Sequence, residues 1–159
     1  MQNVRGYSRD RLASGRADGS TVRELAGLRL AAELAAAALG RRPPAQLSEL
    51  ADDLELSPRL VRELVVDLSA AGLAHVAGEQ GELCYLSLAP GRIPVARVLD
   101  VFRGGLPESF GFEPDSVEAG VRDLLMTADR ARDAALEEVS LEDIAGLSVM
   151  RQPVSPSST

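Results

Sequence analysis

Few side chains in this 159-residue chain could do covalent or acid–base chemistry, and they are scattered. The single histidine, His75, lies between Ala74 and Val76 with no carboxylate or cysteine at relay or ligand spacing. An imidazole needs such a partner to fix its tautomer for proton transfer or to serve in a metal site. His75 therefore reads as a strand residue, satisfied or exposed. The single cysteine, Cys84, sits among Leu83, Tyr85 and Leu86, an apolar setting in which a thiol behaves as a small hydrophobe. One cysteine also excludes an internal disulfide and a cysteine-built zinc or iron–sulfur site within one chain. Glu49, Asp52, Asp53 and Glu55 are the densest acid cluster, with no companion base, and a solvated acidic face accounts for them. Glycine-rich phosphate loops are absent. The expectation is a non-enzyme with no metal and no cofactor.

The remaining chemistry is charge. All 17 cations are arginine, and against 24 acids they leave a net charge of −7. Residues 1–42 carry eight arginines against four acids, whereas residues 43–159 carry nine against twenty. Arg5, Arg9, Arg11 and Arg16 dot a Gly/Ser-containing leader without helical periodicity. Such a leader is a solvated tail or a contact for an anionic surface, lipid headgroups or nucleic acid. The longest charge-free run, Leu68 to Gly78, has 11 residues, short of the roughly 20 that a membrane helix needs. No N-terminal apolar stretch reads as a signal peptide.

The elements that would position these arginines follow from periodicity and punctuation. Thr21 and Glu24 have capping-box spacing, which predicts a helix from there to Leu39 with Gly40 as its stop. Leu25, Leu28, Ala32, Ala35 and Leu39 form its apolar stripe. Pro43-Pro44 breaks the chain. A second helix over about Gln46 to Leu54 turns Leu47, Leu50, Ala51 and Leu54 inward. Ser57-Pro58, an N-cap followed by proline, starts a third helix carrying Leu60, Val61, Leu64, Val65 and Leu68 and stopping at Gly72. Two β-rich runs follow, Leu73 to Ala77 and Leu83 to Leu88, around a Gly-flanked loop that signals a hairpin. Helix, turn, helix and hairpin is the winged-helix order. Val95 to Phe102 gives a short amphipathic helix before Gly104-Gly105, and a loop with Phe110 and Phe112 follows.

From Ser116 to about Glu138, Val117, Val121, Leu124, Ala128, Ala131 and Ala135 recur at coiled-coil spacing. This seam packs either on the alanine-rich first helix of the same chain or against a second copy in a homodimer. Ser140 caps a short last turn, Leu141 to Ala145, and the Pro/Ser-rich end from Pro153 frays. The fold class is mainly α with a small β-hairpin wing, a winged helix-turn-helix plus a long C-terminal helix. Its parts are a basic flexible leader (1–20), the winged-helix domain (21–105), a loop and C-terminal helical element (106–146) and a flexible tail (147–159).

In such a fold, Arg59 and Arg62 at the start of the third helix are the residues placed to reach base edges. The segment 46–88 nevertheless holds only those two cations against eight acids, and Glu79 and Glu82 occupy the wing tip. Duplex affinity rests chiefly on phosphate neutralisation. Duplex DNA is therefore a disfavoured partner by this count, with affinity no tighter than about micromolar at physiological salt.

The run Leu47-x-x-Leu50-Ala51, then Leu56-Ser57-Pro58-Arg59-Leu60-Val61-Arg62, then Leu68-x-x-Ala71-Gly72-Leu73, resembles two related winged-helix groups. Ile93-Pro94-Val95-x-x-Val98-Leu99 is similar to the short helix that both place after the wing. One group is the iron–sulfur-sensing bacterial repressors, such as the repressor of the iron–sulfur assembly operon. Their three cluster cysteines beyond the wing have no counterpart in this chain, so no cluster is carried over. The other is the cytosolic C-terminal domain of YihY/BrkB-type inner-membrane proteins, once labelled ribonuclease BN-like, whose segment after the last span is similar to Gln2-Asn3-Val4-Arg5-x-Tyr7. That resemblance, preferred here, implies a non-catalytic interaction module on the cytoplasmic side of the bacterial inner membrane, partnered by its own membrane domain or another protein. The first implies a free-standing, dimeric, cytoplasmic DNA-binding regulator without a cluster.

Overall fold

The computed structural model describes residues 20–80, 82–103 and 116–150. Arg5, Arg9, Arg11 and Arg16, the Phe110/Phe112 loop and the Pro153 tail lie outside the described residues.

The core is built around one alanine-rich helix, α1 (Ser20–Ala38). Ala26, Leu30, Ala31, Leu34, Ala35 and Ala36 are all buried. Burial at so many adjacent positions means that neighbours cover most of its circumference, which small side chains permit. The predicted capping box is not how this helix begins, since Thr21 already lies inside it. Glu24 instead turns into the structure and pairs with Arg132 and Arg103. The predicted stripe holds at Ala32 and Ala35, which are buried, and at Leu28 and Leu39, half-buried against the core, but Leu25 is 61% exposed and Leu30 and Leu34 are buried besides.

The next two helices match their sequence signals closely. Helix α2 (Leu47–Leu54) is opened by Glu49, whose carboxylate accepts the Gln46 N–H at 2.9 Å. Leu50, Ala51 and Leu54 are buried, while Leu47 is only half-buried against the core. Helix α3 (Pro58–Ala70) starts where Ser57 Oγ accepts the Leu60 N–H at 3.2 Å. Its inward face is Leu60, Val61, Leu64, Val65 and Leu68, the predicted set. Gly72, at φ +72, then turns the chain in a region where a Cβ is costly.

The hairpin is antiparallel and slightly shorter than predicted: β1 (Ala74–Ala77) pairs with β2 (Leu83–Leu86), with His75 opposite Tyr85 and Val76 opposite Cys84. A bridge between Gln46 and Leu83, with the Leu47 N–H bonded to the Glu82 carbonyl at 2.9 Å, ties the wing to the start of α2.

After a 3-10 turn at Pro90–Arg92 come α4 (Val95–Arg103), α5 (Ser116–Leu136) and α6 (Leu141–Met150). The last is longer than the short turn expected from Leu141 to Ala145. Asp143 caps it by accepting the Ser140 N–H at 2.8 Å and hydroxyl at 3.0 Å. Those bonds hold the Asp143 carboxyl below the usual carboxylate range. Hydrogen bonds from the Val95 N–H to the Val139 carbonyl and from the Leu141 N–H to the Ile93 carbonyl stitch α6 to the segment before α4. Leu141 and Ala145 are fully buried members of the core cluster.

That packing decides where the seam of α5 can go. Helices α4 and α6 already lie along α1, so the intramolecular packing of the seam on the first helix does not occur. Val117 is 70% and Leu124 71% exposed; Val121, Ala128, Ala131 and Ala135 are exposed as well. Helix α5 meets the body through a different, charged face. Arg132 donates to Glu24 at 2.6 Å, and Arg103 of α4 lies 2.9 Å from Asp129 and 3.7 Å from Glu24.

Candidate nucleic-acid interface

With five buried residues on one side of α3, a rotation of about 100° per residue sends Arg59, Arg62, Val66 and Ala70 to the opposite side, and all four are exposed. The two arginines differ in freedom. Arg59 donates from Nε to Glu63 Oε1 at 3.0 Å across one helical turn. That hydrogen bond, helped by Arg23 of α1 at 3.6 Å, holds the Glu63 carboxyl below the usual carboxylate range. Among the described residues Arg62 has no ion-pair partner. It borders a shallow cleft between α2, α3 and the wing, with Leu47, Ser48, Val66, Val76, Gln80 and Glu82.

Counting charges within residues 46–88 misses two arginines that folding delivers from outside. Arg23 pairs with Asp67 as well as Glu63. Arg42 pairs with Glu33 and, at 2.8 Å, with Asp53. Burial pulls the Arg42 pKa down, but hydrogen bonds to Asp53 and Glu33 outweigh it and raise it overall. Three of the eight acids in that segment, Asp53, Glu63 and Asp67, are therefore paired with an arginine from outside it, and the two added charges offset only part of its excess. No sequence window could find the Arg23–Asp67 pair, because the two residues stand 44 apart. The wing remains acidic, with Glu79 and Glu82 exposed.

The other chemistry-bearing candidates take structural roles. His75 stacks on Tyr85 across the hairpin, with centroids 5.6 Å apart, and its Nδ1 lies 3.4 Å from Ser87 Oγ. Cys84 is 1% exposed, and burial pushes its thiol up to about 11. Within the acid cluster, Glu49 caps α2 and Asp53 pairs with Arg42, while Glu55 ends α2 at a left-handed φ of 54. Among the described residues no group of His, Cys, Asp and Glu is arranged to hold a metal ion, and no helix is long and apolar enough to cross a membrane.

A short helix pair whose second member exposes arginines on its first turns, beside a two-stranded wing, has the shape that enters a major groove. No family profile and no curated protein matches the chain. Solved structures do. CymR of B. subtilis, the global cysteine regulator, superposes with a TM-score of 0.58 at 24% identity over 79% of this chain and 94% of its own. The fold is the winged helix. IscR of T. potens is similar at a TM-score of 0.58 and 20% identity, over 84% of this chain and 90% of that one. Staphylococcus aureus CymR gives 0.57 and 24%, over 79% and 96%. The similarity runs through nearly the whole of each neighbour, so it includes more than the winged-helix core.

Proposed function

We propose that this chain is a DNA-binding transcriptional regulator that works in the cytoplasm as a homodimer joined through α5. The observation that carries the reading is the outward face of α3, where Arg62 stands unpaired among the described residues and the acids beside it are tied to Arg59 and Arg23. Similarity in fold to CymR and IscR supports it, and gives no support to a membrane-protein domain. The acidic wing still limits phosphate contact, so affinity for random duplex stays micromolar or weaker at physiological salt. Selectivity then comes from base contacts by two copies of α3 in adjacent turns of the groove.

The test is fluorescence anisotropy on a duplex selected from a random pool by the full chain. Arg62→Ala should weaken binding about tenfold, the range of one lost base-edge contact. Glu63→Gln should strengthen it a few-fold, because it removes a negative charge from the reading face. Opposite signs from two exposed or half-exposed positions cannot come from damage to the fold. A protein that selects no sequence even at low salt, or two variants that bind like the parent, would overturn the reading.

A further inference from the structure

We propose that Val66 is a specificity-determining residue that packs on the 5-methyl group of a thymine, next to a guanine read by Arg62. The inference rests on the DNA-binding reading above and goes beyond it by stating which bases α3 selects.

Val66 is 64% exposed at the middle of the outward face of α3, one turn after Arg62. A lone exposed valine needs no explanation. This one is not alone: half-buried Leu47 from α2 and 38%-exposed Val76 from β1 border the same cleft, so three elements bring apolar groups beside one free guanidinium. Valine contributes nothing to holding α3 there, since the inward face is already complete. In the major groove, guanine offers two acceptors that suit a guanidinium, and thymine offers the methyl group that suits an apolar side chain. Among the described residues, the outward face of α3 carries both chemistries in order. Four helical residues advance about 6 Å, and successive base pairs rise about 3.4 Å. A helix lying along the groove therefore sets the thymine within about two base pairs of the guanine.

Replacing that thymine by uracil removes only the methyl group. Selection from a random duplex pool by the full chain should enrich a guanine with a thymine one or two pairs away. In anisotropy titrations, uracil at that position should weaken the wild-type protein about fourfold, the worth of one buried methyl. Val66→Ala, checked for unchanged helicity by circular dichroism, should bind both duplexes alike. An enriched site without a methyl-dependent thymine, or equal uracil losses in both proteins, overturns the inference and leaves the regulator reading standing. A Val66→Ala protein whose mass in solution changes assigns Val66 to a protein contact and overturns it as well. Absence of any enriched sequence removes both.

Discussion

Cys84 and Glu24 are the buried ionisable side chains among the described residues, and each makes a separate demand on stability. With its thiol pushed up to about 11 from 9.0, Cys84 stays protonated in the folded chain over a range where the unfolded chain ionises. Its contribution is therefore whole below pH 9 and is lost as pH rises towards 11, about 3 kcal/mol across that span. Urea unfolding at pH 8 and pH 10.5 should show a steeper alkaline loss for the wild type than for Cys84→Ala. The native thiol should also resist disulfide reagents at pH 8 and react fully once unfolded. Glu24 is different, because its carboxylate is matched by Arg132 and Arg103. Removing one partner strands the others, at a cost of 3–5 kcal/mol in a fully buried pair. Both arginines here are partly exposed, 33% and 21%, so water screens what remains. Glu24→Gln should cost about 1–2 kcal/mol, read as a lower urea midpoint with an unchanged slope.

At the scale of elements, what could be read in the sequence divides by the range of the interaction. Helices α2 and α3 and the hairpin were legible because their signals are local: Ser57-Pro58, the 3,4 spacing after Leu60, and glycines at the turns. The environment of α1 was not legible, because alanine has too little hydrophobic contrast to mark one face. Leu25 reads as core and is exposed, whereas Ala31 and Ala36, outside the expected stripe, are sealed. Arg59 and Arg62 can be placed on the outer face of α3 from position alone; their electrostatic setting cannot, since Arg23 arrives by folding. Gly27 tests the α1–α4 contact. A Cβ there would overlap the Phe102 ring, and Phe102 is itself 3% exposed with no room to retreat. Helix propensity favours alanine over glycine by about 1 kcal/mol. Overpacking costs about 1–3 kcal/mol, and a rigid buried ring puts this site at the upper end. Gly27→Ala should therefore lower the thermal midpoint, against the propensity trend; a rise would mean that α4 can move off α1.

For the whole molecule, the unsatisfied feature is the outer face of α5. Val117, Val121 and Leu124 stand exposed on one line, continued by Ala128, Ala131 and Ala135. An apolar line of this length, on a helix whose ion pairs to the body through Asp129 and Arg132 lie on another face, is what a second copy would cover, with the alanines allowing close approach. Self-association through one such line is isologous, each seam meeting its own counterpart. It would leave both copies of α3 free to read adjacent half-sites. Leu124 lies near the middle, and at 71% exposure it supports nothing in the single chain. Leu124→Asp should leave the helicity and urea slope of the monomer intact. In light scattering at tens of micromolar, the wild type should show twice 16.8 kDa and the variant 16.8 kDa. The variant should also lose more than tenfold in affinity for the selected duplex while keeping its sensitivity to Arg62→Ala, because each head then binds alone. A variant that remains a dimer would move the contact off this seam; one that is monomeric yet binds DNA like the parent would separate assembly from recognition.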